Sequence, residues 1–103
     1  VAHRGALNWA IAQEIRVRRE ALGMTRAQVI AASGIKKATY ERLEYGQRTA
    51  SGEQLSAIGK ALGTTGGRLL DAAEARVERG EYPSFGERAA IELDAAIGYR
   101  RPR

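Results

Sequence analysis

The sequence predicts an all-α fold of short helices, and three observations carry that prediction. Apolar residues recur at three- and four-residue spacing, and no stretch alternates apolar with polar residues as a half-buried strand does. Capping boxes, a Ser or Thr followed three residues later by Gln or Glu, stand at Thr25/Gln28, Ser51/Gln54 and Ser84/Glu87, where each pair satisfies backbone donors at a helix start. Glycines at 23, 34, 46, 63 and 80 fall where such helices must stop, and glycine takes the left-handed closing turn without the cost of a Cβ. Alanine is plentiful and only 6% of residues are aromatic, which suits close-packed helices better than a sheet. A chain of 103 residues supports one small domain with an appendage, because two independent cores would each bury too little surface.

The first helix is expected from about Asn8 to Leu22, with Leu7, Ile11, Ile15 and Leu22 on one face, supported by Ala12 and Val17, and Gly23 as its stop. The Thr25 box starts a second helix at Arg26 that ends at Ser33-Gly34. After the tight turn, Ile35, Tyr40 and Leu43 hold helical spacing in a third helix over about 37 to 45, stopped by Gly46. A loop through Ala50 leads to the Ser51 box and a fourth helix, reaching Ala61 or Leu62, with Leu55, Ile58 and Leu62 as its buried stripe. Thr64-Thr65 precedes a fifth helix, about Gly66 to Arg79, whose apolar positions are Leu69, Leu70, Ala73 and Val77. Tyr82-Pro83 reads as a turn, and the Ser84 box opens a last helix through about Ile97, followed by a basic tail that frays.

Composition removes several function classes. The chain has no cysteine, hence no disulfide, thiolate nucleophile or thiolate metal site, and a cytoplasmic location is expected. No apolar run approaches the roughly 20 residues that span a bilayer, so no membrane partner is expected. His3 is the only histidine and cannot assemble a metal site alone. Without Cys or a second His there is no recognisable nucleophile and base pair. No catalytic residue, metal, cofactor or small-molecule ligand is therefore expected.

Charge points the other way. Residues 1 to 50 carry nine Lys/Arg against four Asp/Glu, whereas residues 51 to 103 carry eight of each, so the whole net charge of +5 lies in the first half. Positive charge focused on one part of a surface attracts polyanions, although a basic run alone is also compatible with simple solubilisation. Here it coincides with residues 24 to 45, two short helices joined by a glycine turn, the second carrying cations at its start. That is the layout of a helix that enters DNA.

These residues resemble the phage-repressor-like (Xre/Cro-like) helix-turn-helix DNA-binding domains. The resemblance rests on Ile15-Arg16, Arg19 and Gly23-Met24-Thr25, then Gln28-Val29, Gly34-Ile35, the run Tyr40-Glu41-Arg42-Leu43-Glu44-Tyr45-Gly46, and Leu55 to Leu62. It covers about residues 11 to 71 and implies a five-helix domain over residues 1–71; beyond it the family pattern gives no guidance, and residues 72–103 read from their own pattern as a helical extension, a candidate dimerisation element, with a basic tail. Three positions depart from the pattern. Ile30 stands where a small residue is preferred, Ser33 where an aliphatic is usual, and Lys36 where Ser or Thr normally caps the third helix. Lys36 gives up about 1 kcal/mol of capping and sets a cation at the positive end of a helix dipole, an arrangement that favours an arriving phosphate.

The resemblance assigns roles position by position. It implies that Lys37, Ala38 and Arg42 face base edges in the major groove: Arg and Lys offer donors to guanine O6 and N7, and Ala meets a thymine methyl. Thr39 reaches either a base or a phosphate. Phosphate contacts are implied for Arg26 and Gln28 at the start of the second helix and are expected from Lys36 and Arg48 beside the third. An ordinary solvated helix face remains the alternative for Lys37 and Arg42, as does the capping role alone for Gln28. Arg19 and Glu44 are implied to form a buried ion pair that ties the first helix to the third. The last helix, with Phe85, Ala89, Leu93 and Ala96 on one face and Ile91 on another, could dock against its own domain with one face and a second copy with the other, or complete a monomeric core.

The function expected is a sequence-specific transcriptional regulator, a nucleoid-associated repressor that binds a pseudo-palindromic operator in double-stranded DNA as a homodimer. The alternative is an antitoxin-like or adaptor module that uses the same scaffold to capture a protein.

Overall fold

The computed structural model describes residues 5–81. Five helices follow one another without a strand among the described residues: α1 (Ala6–Ala21), α2 (Arg26–Ser33), α3 (Lys37–Glu44), α4 (Gly52–Ala61) and α5 (Gly66–Glu78). The all-α class is thus as the sequence predicts. The last helix expected, with Phe85, Ala89, Ile91, Leu93 and Ala96, lies outside the described residues, as does the Ser84/Glu87 box.

The helix starts follow their caps. Thr25 Oγ1 accepts from the Gln28 amide while Gln28 Oε1 accepts from the Thr25 amide, at 3.1 and 2.8 Å. Ser51 and Gln54 repeat the exchange at 3.1 and 3.0 Å. At α5 the Thr65 hydroxyl accepts from the Arg68 amide. α1 begins two residues earlier than expected, from Gly5, which caps without a side-chain hydrogen bond.

One core unites all five helices. Ile11 and Ile15 of α1, Val29 of α2, Tyr40 and Leu43 of α3, Leu55, Ile58 and Leu62 of the α4 region, and Leu69 and Ala73 of α5 are buried together. α1 packs against α3 and α5, and α4 packs against α2 and α5. The stripe expected on α1 is covered only in its middle: Leu7 and Leu22 at its ends are exposed, as is Val17 off the stripe. Leu7 and Leu22 hold the same phase as Ile11 and Ile15, but neighbouring helices do not cover the two ends.

The α4–α5 contact depends on glycine. A Cβ on Gly59 would come 2.5 Å from the Thr65 carbonyl carbon, and one on Gly66 would come 2.9 Å from the Ser56 amide nitrogen. Arg18 closes the same corner from α1, its Nε donating to the Leu62 carbonyl at 3.0 Å. Farther along, Arg76 of α5 pairs with Glu14 of α1. The boundary expected at residue 71 falls inside α5, whose later residues Ala73 and Val77 belong to the same core.

Candidate nucleic-acid interface

α2, the turn after it and α3 carry the residues of the candidate interface. Gly34 takes the left-handed conformation (φ 73°) and its amide donates to the Ile30 carbonyl, ending α2. The Ser33 hydroxyl, at the position where an aliphatic is usual, donates to the Ile30 carbonyl and accepts from the Ile35 amide, both at 3.3 Å. The departure therefore substitutes local hydrogen bonds for an apolar contact. Ile30 and Ile35 are partly buried against the core.

The two sides of α3 differ sharply. At about 100° per residue, Tyr40, Leu43 and Glu44 turn inward and are buried. Lys37, Ala38 and Arg42 share the outward side and are exposed, while Thr39 is half-buried on its margin. Lys36 is the N-cap residue, in extended conformation and without a side-chain cap hydrogen bond, so α3 begins with uncapped amides beside an exposed ammonium.

The loop carrying Arg48 is fastened to α1. Gly46 is left-handed (φ 73°) and lies so close to the first helix that a Cβ would come 3.2 Å from the Trp9 Cα. Asn8 Nδ2 donates to Thr49 Oγ1 at 3.1 Å. Arg48 between them is exposed. No ion pair among the described residues involves Lys36, Lys37 or Arg48.

The inner side of α3 is held by a charge cluster. Glu44 is 1% exposed, and its Oε1 accepts from Arg19 Nη2 at 3.0 Å while its Oε2 accepts from Arg19 Nε at 3.3 Å. Arg19 Nη1 also donates to the Met24 carbonyl at 3.0 Å, so one guanidinium ties α1, the approach to α2 and the end of α3. Arg16 Nη2 donates to the Glu44 carbonyl at 2.8 Å. Burial would raise the Glu44 pKa, but the hydrogen bonds of Arg26 and Arg19 and the neighbouring Tyr40 hydroxyl outweigh it and hold the carboxyl below its ordinary range. Burial and the Glu44 carboxylate push Tyr40 above the usual phenol range, although no hydrogen bond of normal geometry joins the two side chains.

Arg26, expected only as a phosphate contact, also has a partner within the protein. Arg26 Nε donates to Glu44 Oε1 at 2.8 Å, and the guanidinium lies over the Tyr45 ring, 5.7 Å from its centroid. The hydrogen bond to Glu44 is the main reason that its pKa is raised further. Nothing in the spacing announced this contact: the partners are 18 residues apart, and Arg26 is otherwise an ordinary first residue of a capped helix. Gln28 is committed through Oε1 to the Thr25 amide and keeps its amide nitrogen on an exposed surface.

A buried-ended, outwardly basic second helix after a glycine turn defines a helix-turn-helix protein. Residues 10–73 match the family model described as "Helix-turn-helix domain", and the chain belongs to that family. Among solved structures, it is similar in fold to the clp gene regulator ClgR from Corynebacterium glutamicum, with a TM-score of 0.65 and 23% sequence identity over 94% of this chain and 96% of that one. A search of curated proteins found no match. No helix among the described residues is long and apolar enough to cross a membrane.

Proposed function

We propose that the chain is a sequence-specific DNA-binding transcriptional regulator. The observation that carries this reading is the outward side of α3, where Lys37, Ala38 and Arg42 stand together on a helix whose opposite side is locked into the core. Arg42 and Lys37 supply donors for guanine O6 and N7, Ala38 fits a thymine methyl, and Thr39 reaches a base or the adjacent phosphate. Lys36 at the uncapped start of α3, Arg48 in the fastened loop, and Arg26 and Gln28 at the start of α2 supply contacts to the sugar-phosphate backbone. The fold neighbour is a gene regulator, which is consistent with this use of the scaffold.

The finer reading is a cytoplasmic repressor acting as a homodimer on a pseudo-palindromic operator. Two-fold symmetry doubles a short recognition helix's reach and makes half-site spacing a geometric property of the dimer. The sequence pattern of Phe85, Ala89, Ile91, Leu93 and Ala96 is the one we assign to that contact.

Selection from randomised duplexes, followed by titration of the winner and a scrambled control, tests the assignment. Affinity on the order of nanomolar for the selected duplex is expected, at least a thousandfold tighter than for the control. Equal affinity for both defeats it.

A further inference from the structure

We propose that Arg26 is a positioning residue that couples the phosphate contact to base reading: it holds the end of α3 through Glu44 while presenting the rest of its guanidinium to the DNA backbone. The inference rests on the DNA-binding assignment above for its second half. Its first half is geometric. The Glu44 carboxylate is fully enclosed and receives two guanidinium groups, yet these differ in setting: the Arg19 side chain is 11% exposed and that of Arg26 is 45% exposed. Arg19 is consumed by Glu44 and the Met24 carbonyl. Arg26 uses Nε for Glu44 and lies over Tyr45, and its half-exposed side chain reaches the surface at the first position of α2.

Charge favours the same division. One buried carboxylate faces two guanidinium groups, a third, from Arg16, sits on the Glu44 backbone carbonyl, and Glu41 adds a second negative charge near Arg26, so the cluster keeps an excess of positive charge and reaches solvent at Arg26. An anion arriving there completes the balance. Because the planar guanidinium has donors on several edges, Arg26 can keep Nε on Glu44 while its terminal nitrogens take phosphate oxygens. A phosphate held this way is linked through one rigid group to Glu44, the residue that anchors α3, two positions along the same helix from the base-facing Arg42.

Lysine separates this role from a plain phosphate contact, since it keeps the charge but lacks the fork. In Arg26→Lys, non-specific affinity and its salt dependence should stay close to those of the original chain, while the ratio of selected to scrambled affinity falls about tenfold. In Arg26→Gln, both should fall. In free protein, amide hydrogen exchange should accelerate at residues 41 to 46 in both variants while the α4 and α5 amides remain as protected as before, a pattern that global destabilisation does not give. Unchanged selectivity in Arg26→Lys together with unchanged exchange at 41 to 46 overturns the proposal. If the original chain itself shows no selectivity, the DNA-binding assignment fails instead, and exchange at 41 to 46 alone decides whether Arg26 positions α3.

Discussion

Glu44 is the side chain on which the geometry of the recognition helix turns. It is a buried carboxylate at 1% exposure, a position that costs several kcal/mol unless the charge is paired and hydrogen-bonded. Arg19 and Arg26 provide that pairing from two different helices. Glu44→Ala leaves the largely buried Arg19 without its partner and should destabilise the protein by about 3 to 5 kcal/mol, read from urea unfolding; a loss below about 1 kcal/mol removes the structural role. The depressed Glu44 pKa also sets an acid limb. The unfolded chain binds a proton to Glu44 at higher pH than the folded one, so the pairing contributes fully above the ordinary glutamate range and is lost as pH falls through the lower folded value. Unfolding free energy measured from pH 6 down to pH 3 should therefore fall more steeply for the original chain than for Glu44→Gln, and parallel curves refute the linkage. The Arg19–Glu44 partnership was accessible from the family resemblance, because both positions belong to its pattern. The additions of Arg26, Arg16 and Tyr40 were not, because they depend on where three helix ends converge, which no local spacing encodes.

Elements were far more legible where their ends are chemically marked. Thr25/Gln28 and Ser51/Gln54 place the starts of α2 and α4 because a capping box is a local arrangement within four residues. Interhelical closeness was not legible: Gly59 reads in sequence only as an interior glycine that weakens α4, whereas the structure shows it admitting the α5 N-terminus. The two views predict opposite signs for one substitution. On helix propensity alone, Gly59→Ala gains about 0.5 to 1 kcal/mol. In the packed helix its Cβ meets backbone at 2.5 Å, atoms that cannot swing aside, and overpacking of that kind costs about 1 to 3 kcal/mol. Gly52, also in α4, has nothing within 4 Å of a Cβ, so Gly52→Ala should be neutral or mildly stabilising. Thermal unfolding of the pair checks this, and a Gly59→Ala midpoint at or above that of the original chain shows that α5 yields.

At the scale of the whole molecule the decisive quantity is the uneven placement of charge. The excess of five positive charges lies entirely in residues 1 to 50, the half that contains α1, α2 and α3, while the second half contributes α4 and α5 as a neutral support. The boundary expected near residue 71 marks where the family resemblance ends, not where charge changes, and α5 runs through that position because Leu69 and Ala73 both serve the core. A surface built this way should bind DNA with a strong electrolyte dependence. Arg26, Lys36 and Arg48 are the cations proposed for phosphates, and the proposed homodimer would then neutralise about six phosphates, with a slope of log affinity against log salt of about −5. Lys36→Ala should make that slope shallower by about two and weaken selected and scrambled duplexes alike, because a phosphate contact carries no sequence information. Arg42→Ala should instead relax preference at one base position, at a cost of about 1 to 3 kcal/mol on the selected duplex. Fluorescence anisotropy between 50 and 300 mM salt separates the two variants, and the division of labour between the start of α3 and its outward side is wrong if Lys36→Ala alters base preference while Arg42→Ala weakens every duplex equally.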